Sequence, residues 1–204
     1  MGRGLFVTLE GIDGAGKSTQ ARRLAGWLRG LGHRVEETRE PGGSPGAEEI
    51  RRLLVEGPPG RWSAMTEILL FTAARRDHVE RRIRPALEQG AIVICDRFAD
   101  STRVYQSARG APMAVVDALH ALAIGLEPDL TLILDADPAE ALARGLARGG
   151  GEDRFEGLGP GFQERLRAGF LALARERRRC VVIPAGDADG VAARIRAEVA
   201  RLLP

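Results

Sequence analysis

An α/β fold, with a five-stranded parallel sheet and helices on both faces, is predicted by three features of this sequence. Five short apolar runs, at 5–9, 34–38, 91–95, 130–134 and 180–183, alternate with long segments of helical periodicity. Strands alternating with helices are joined by right-handed crossovers, which makes them parallel and covers the sheet on both sides. The chain has 204 residues, 44% of them hydrophobic and 28% charged, enough to fold as one domain over 1–204 without a disulfide or structural metal. In such a fold the ligand lies outside the carboxyl ends of the strands, so the residues after each strand are the ones to read.

The first run, 5–9, stands close to residue 1, so no secretory leader is expected. A helix over 18–31 sets Ala21, Leu24, Ala25 and Leu28 on one face, with Gly32 where the helix should be capped. After the second strand, Pro41-Gly42-Gly43-Ser44-Pro45-Gly46 reads as a mobile loop. Helices over 47–55 and 66–87 lead to the third strand, one over 114–126 to the fourth, and one over 138–148 follows it. Gly149-Gly150-Gly151, with Gly157, Gly159 and Gly161 beyond, then predicts a lid over 144–161. Helices over 161–178 and 191–203 flank the last strand, and no repeat interrupts the order.

Composition narrows the partners. Net charge is only +2, which gives no reason to expect a nucleic-acid partner. No apolar stretch approaches the roughly 18 residues of a membrane span. The two cysteines, Cys95 and Cys180, exclude a disulfide framework and suit a reducing compartment, so a cytoplasmic protein is expected. Of 30 basic residues 29 are arginine, and asparagine is absent. GC-rich coding explains that bias, yet it directs attention to the one lysine.

That lysine lies in Gly11-Ile12-Asp13-Gly14-Ala15-Gly16-Lys17-Ser18-Thr19, which fits G-x-x-x-x-G-K-[ST] between a strand and a helix. Glycines let successive backbone N–H groups point at phosphate oxygens, and the helix N-terminus adds its dipole. Lys17 is expected to reach the β- and γ-phosphates, and the Ser18 hydroxyl to take a place on Mg²⁺. A glycine turn before a surface helix is the bland alternative, and the full pattern argues against it. The fold class is thus that of a P-loop NTPase. Without asparagine or a second lysine a guanine-reading loop cannot be written, which leaves a small kinase.

The third strand runs into Asp96-Arg97-Phe98. A carboxylate there can hold Mg²⁺ through water, and an arginine can clamp a phosphate with two hydrogen bonds. A buried structural ion pair is the competing reading. Arg39-Glu40-Pro41-Gly42-Gly43 ends the second strand. Phe71 and Arg75, four apart on one helix, offer a flat apolar plate beside a fixed donor, as a nucleobase requires, although core packing of Phe71 is the simpler account. His33, His78 and His120 show no metal-ligand spacing and receive no role, and Trp27 and Trp62 read as packing residues. A kinase for another small acceptor and a non-catalytic ATP-binding module both stay open at this point.

The phosphate loop, Arg39-Glu40-Pro41-Gly42-Gly43, Phe71-Thr72-Ala73-Ala74-Arg75, Asp96-Arg97-Phe98 and Ser101-Thr102-Arg103-Val104-Tyr105-Gln106 together resemble bacterial thymidylate kinase over nearly the whole chain. Asp153-Arg154-Phe155-Glu156 is similar to that family's lid, though the stretch after it is richer in glycine. The resemblance implies transfer of the ATP γ-phosphoryl group to dTMP with Mg²⁺, in a homodimer joined through helices. It implies that Phe71 stacks on thymine, Arg75 bonds the base and Arg97 holds the dTMP phosphate. Asp13 would accept from the 3′-hydroxyl, and Tyr105 would crowd the place of a 2′-hydroxyl. Ser101, Thr102 and Gln106 would line the base pocket, and Arg39 and Pro41 would close on sugar and phosphate. The variable positions of the phosphate loop hold no basic residue, so further transition-state charge is expected from Arg148 and Arg154, with Arg144 nearer the adenine.

Overall fold

The computed structural model describes residues 3–58, 60–148 and 159–203. Five parallel strands form one sheet in the order β2-β3-β1-β4-β5, from β1 (Phe6–Glu10), β2 (Val35–Arg39), β3 (Ile92–Asp96), β4 (Leu130–Leu134) and β5 (Cys180–Ile183). Helices α1 (Lys17–Gly30), α2 (Pro45–Val55), α3 (Ala64–His78), α4 (Arg84–Glu88), α5 (Ala99–Ala108), α6 (Met113–Ala123), α7 (Pro138–Arg148), α8 (Pro160–Glu176) and α9 (Ala188–Ala200) connect and cover them. Because the sheet is covered on both faces, its central strands are apolar almost throughout. Val7 and Leu9 of β1 pack with Leu24 and Leu28 of α1 and Ile195 of α9. Phe6, on the opposite face, meets Ile83, Val93 and Phe98, and Ile133 of β4 meets Phe162, Leu166 and Phe170.

The first three strands each end one residue later than their apolar runs, on Glu10, Arg39 and Asp96. Ladder pairing is made by the backbone and continues where the apolar core has already stopped, as in the register Leu9↔Asp96 and Arg39↔Asp96. The single helix expected over 66–87 is instead three pieces: α3, a π-helical turn at Val79–Ile83, and α4. Pro85 has no N–H to donate, and the wider turn ahead of it keeps Val79, Ile83 and Leu87 pointed into the core. Helix α5 was not predicted. Its buried positions include Asp100, Thr102, Arg103 and Gln106, so it carries no apolar stripe for periodicity to reveal.

Candidate active site

All the elements of the site meet at the carboxyl ends of β1, β2 and β3. The loop from β1 to α1 turns on glycines in the left-handed region, Gly11, Gly14 and Gly16 at φ 135°, 80° and 91°. A side chain at Gly14 would stand 1.8 Å from the Ala141 carbonyl, so the loop packs directly on α7. Arg144 of α7 strengthens that contact by donating from Nε to the Gly14 oxygen at 3.1 Å. Lys17 is buried and donates to the Ile12 carbonyl at 2.7 Å, folding back over the loop. Burial lowers its pKa to about 8, with Arg97 adding to the effect and Asp13, Asp96 and Glu10 opposing it. Next to it the Ser18 hydroxyl donates to Asp96 Oδ2 at 2.5 Å. Ser18 and Thr19 face solvent at the first turn of α1.

Arg97 is the one non-glycine residue at positive φ (69°) among the described residues, a conformation costing about 1–3 kcal/mol. It is held by many contacts. Its Nη1 donates to the Gly11 carbonyl at 3.0 Å and to Ser101 Oγ at 2.8 Å, and its Nη2 donates to Asp13 and to the Tyr105 hydroxyl at 2.9 Å. The Tyr105 hydroxyl in turn donates to Asp13 Oδ2 at 2.8 Å. Burial would raise the Asp13 carboxyl, but Arg97 and Lys17, together with hydrogen bonds from Tyr105 and Arg97, leave it below the ordinary aspartate value. Arg97, Asp13, Ser101 and Tyr105, read from separate segments, therefore form one cluster.

Glu10 was missed. The sequence signal was a carboxylate closing an otherwise apolar strand. It is fully buried and accepts from Phe98 N at 2.7 Å, Ser101 N at 3.3 Å and Ser101 Oγ at 2.5 Å. These amides lie at the start of α5, whose own N-cap residue, Phe98, supplies no side-chain bond. The carboxylate of β1 thus caps α5 from another element and fixes the turn bearing Arg97.

On the other side of the cluster, Phe71 is half-buried and, among the described residues, belongs to none of the core clusters. Arg75, 3% exposed, donates from Nε to Glu40 Oε2 at 2.8 Å and from Nη2 to Thr102 Oγ1 at 2.9 Å, and lies over the Phe98 ring at 5.0 Å. Three of its five N–H groups have no protein partner among the described residues. Gln106 donates to Glu67 at 3.1 Å, and Arg109 also bonds Glu67. Arg39 is exposed and bonds Glu48 at 3.1 Å, while Pro41, after a cis peptide bond, offers its carbonyl to Arg51. Arg148 ends α7 with its side chain outside the description, and Arg154 lies outside the described residues.

Comparison with known proteins matches this arrangement. The thymidylate kinase family model aligns with residues 9–193. Thymidylate kinase of Jannaschia sp. (strain CCS1) is 65% identical over 202 residues, 98% of this chain and 97% of that protein. The enzyme of Ruegeria pomeroyi is 65% identical over 195 residues, covering 94% and 92%. The crystal structure of thymidylate kinase from Ehrlichia chaffeensis superposes with a TM-score of 0.79 at 36% identity, covering 97% of this chain and 99% of that one. With a family model matched over most of its length and full-length relatives of this similarity, the chain belongs to the thymidylate kinase family.

Proposed function

We infer that the chain phosphorylates dTMP to dTDP, taking the γ-phosphoryl group of ATP and releasing ADP. The observation that carries this reading is the Arg97–Asp13 pair, which ties the phosphate loop to the acceptor cluster of α5. An oxygen of the dTMP phosphate attacks the γ-phosphorus, and the bond from that phosphorus to the β,γ-bridging oxygen breaks as ADP leaves. The attacking oxygen is already ionised at pH 7, so no general base is needed. Catalysis then rests on alignment and on charge placed around the transferred group. Lys17 supplies charge at the β- and γ-phosphates, and Arg97 holds the acceptor phosphate. Phe71 stacks on the base, Arg75 donates to a thymine carbonyl, and Tyr105 fills the space beside C2′.

The donor set suits Mg²⁺: a hydroxyl and a carboxylate, Ser18 and Asp96, both hard oxygen ligands at the mouth of the phosphate loop. These two would hold the ion, which when bound neutralises charge on the ATP phosphates. In the lid, Arg148 and Arg154 bring further charge to the transferring group, and Arg144 lies toward the adenine.

A homodimer is supported by α3, which is apolar on two sides. Ile68 is buried while Met65 and Leu69 stand 43% and 52% exposed, and on the neighbouring α2 Leu53 is 38% exposed. A second copy would cover that face. A cytoplasmic location accords with two buried free thiols and with the lack, among the described residues, of a helix long and apolar enough to cross a membrane.

The test is ADP release on a panel of nucleoside monophosphates. Because dCMP presents an amine where Arg75 also donates, dTMP should be preferred ~10- to 100-fold in kcat/KM, the worth of a lost hydrogen bond with a mismatched donor. Equal turnover of the two would overturn the assignment of the base pocket.

A further inference from the structure

His78 is wholly buried on α3, one turn beyond Arg75, and the chemistry described above makes no use of it. Its Nδ1 lies 3.1 Å from Glu40 Oε1, and its Nε2 lies 2.7 Å from the Thr38 hydroxyl. The other Glu40 oxygen accepts from Arg75 Nε at 2.8 Å. All three side chains of this row, His78, Glu40 and Arg75, are 4% exposed or less. Gly43 closes over the ring, since a side chain there would stand 2.4 Å from His78 Nε2.

Glu40, paired with the Arg75 cation, is an acceptor at both oxygens, so His78 donates from Nδ1, and its Nε2 shares a hydrogen bond with the Thr38 hydroxyl. Each Glu40 oxygen then has one donor, and the carboxylate cannot rotate without losing both. A carboxylate so fixed also fixes the guanidinium it holds. Thr102 and the Phe98 ring set the guanidinium plane, and Glu40 sets its position along the plane.

We propose that His78 and Glu40 are positioning residues for base selection, orienting Arg75 so that its remaining N–H groups meet a carbonyl and refuse an exocyclic amine. This rests on the reading that Arg75 contacts the base. Both are buried and act through Arg75, so the effect falls on discrimination and leaves ATP use alone.

The test compares kcat/KM for dTMP and dCMP in the wild type and in His78→Asn, His78→Phe, Thr38→Val and Arg75→Lys. Asparagine keeps a donor near the Nδ1 position, so His78→Asn should retain the dTMP preference. His78→Phe removes the donor and should lower the preference ~10-fold, about one buried hydrogen bond, through a raised KM for dTMP with the KM for ATP unchanged. Arg75→Lys should lower it at least as far. An unchanged preference in His78→Phe, with loss in Arg75→Lys, would overturn the positioning role while keeping Arg75 as the base reader. An unchanged preference in Arg75→Lys would overturn the base reading itself and the proposal with it. Should His78→Phe not fold, Thr38→Val decides, because it frees the ring with little change of shape: a lowered preference supports the proposal and an unchanged one overturns it.

Discussion

Glu10 shows how strongly this site perturbs single groups. Burial raises its carboxyl from the ordinary 4.5 to about 7, Asp100 adds to the rise, and Arg97, Ser101 and the Phe98 amide oppose it. Between those two pH values the folded protein keeps a proton that the unfolded chain has released. The stability contributed by the raised value is therefore complete below pH 4.5 and is lost as pH rises through about 7. Thermal unfolding of the wild type, measured against Glu10→Gln, should show the wild type losing on the order of 5 °C relative to the variant between pH 5 and 8. A constant difference across that range would mean Glu10 titrates normally. Tyr105 offers a second measurement at this scale. If its ring fills the space beside C2′, Tyr105→Ala should raise turnover of ribo-TMP relative to dTMP, and an unchanged ratio would leave Tyr105 as a core aromatic. Which residues could be read from the sequence follows from what each does. Lys17, Asp13 and Arg97 sit in motifs dictated by phosphate chemistry, whereas Glu10 and His78 act on other side chains, and their partners stand 38 to 91 positions away.

Among the elements, α5 and α7 bear most directly on function, and they were legible to different degrees. Helix α7 has a strong apolar period and was predicted with its bounds, Pro138–Arg148. Helix α5 brings Thr102 to Arg75, Tyr105 to Asp13 and Arg97, and Gln106 to Glu67, while Arg103 on another face reaches Asp100, Asp117 and Glu127. Ion pairs replace the apolar face that periodicity detects, so the helix was invisible to it. The packing of α7 on Gly14 gives a direct prediction. Gly14→Ala adds about 1–3 kcal/mol of backbone strain and a clash at the Ala141 carbonyl. It should lower Tm and raise the KM for ATP together, since Arg144 is anchored on the same residue. Calorimetry with ATP titration checks both, and a variant as stable and as tight as the wild type would contradict the contact. Beyond α7, single-turnover transfer by Arg148→Ala and Arg154→Ala at saturating ATP, dTMP and Mg²⁺ should fall ~10³- to 10⁵-fold in at least one, as for other arginines placed on a transferring phosphoryl group. If both lose only affinity, Lys17, Arg97 and the metal must carry the charge.

At the scale of the whole molecule, the sheet could be read almost entirely in advance. Central parallel strands covered on both faces must be apolar along their length, and β4 and β5 match the predicted limits, whereas the edge strand β2 is Val-Glu-Glu-Thr-Arg. The proposed dimer follows a different logic, since a face that only a second copy would cover looks like any exposed apolar surface. Light scattering should give twice the 21.9 kDa chain mass. Leu69→Glu, on the exposed side of α3, should shift the protein toward the monomer, and a monomeric wild type would rule out the dimer.

One consequence of the composition concerns how the protein can be assayed. The chain has a single side-chain amine, on Lys17, and it lies within the phosphate loop with a pKa of about 8. Its other basic side chains, apart from histidine, are guanidinium groups, which acylating reagents leave untouched near neutral pH. An acyl-phosphate derivative of ATP should therefore add one side-chain adduct per chain, and free ATP should block it. If Lys17 lies at the ATP site as proposed, peptide mapping of the ATP-protected adduct then counts ATP-competent molecules in any preparation.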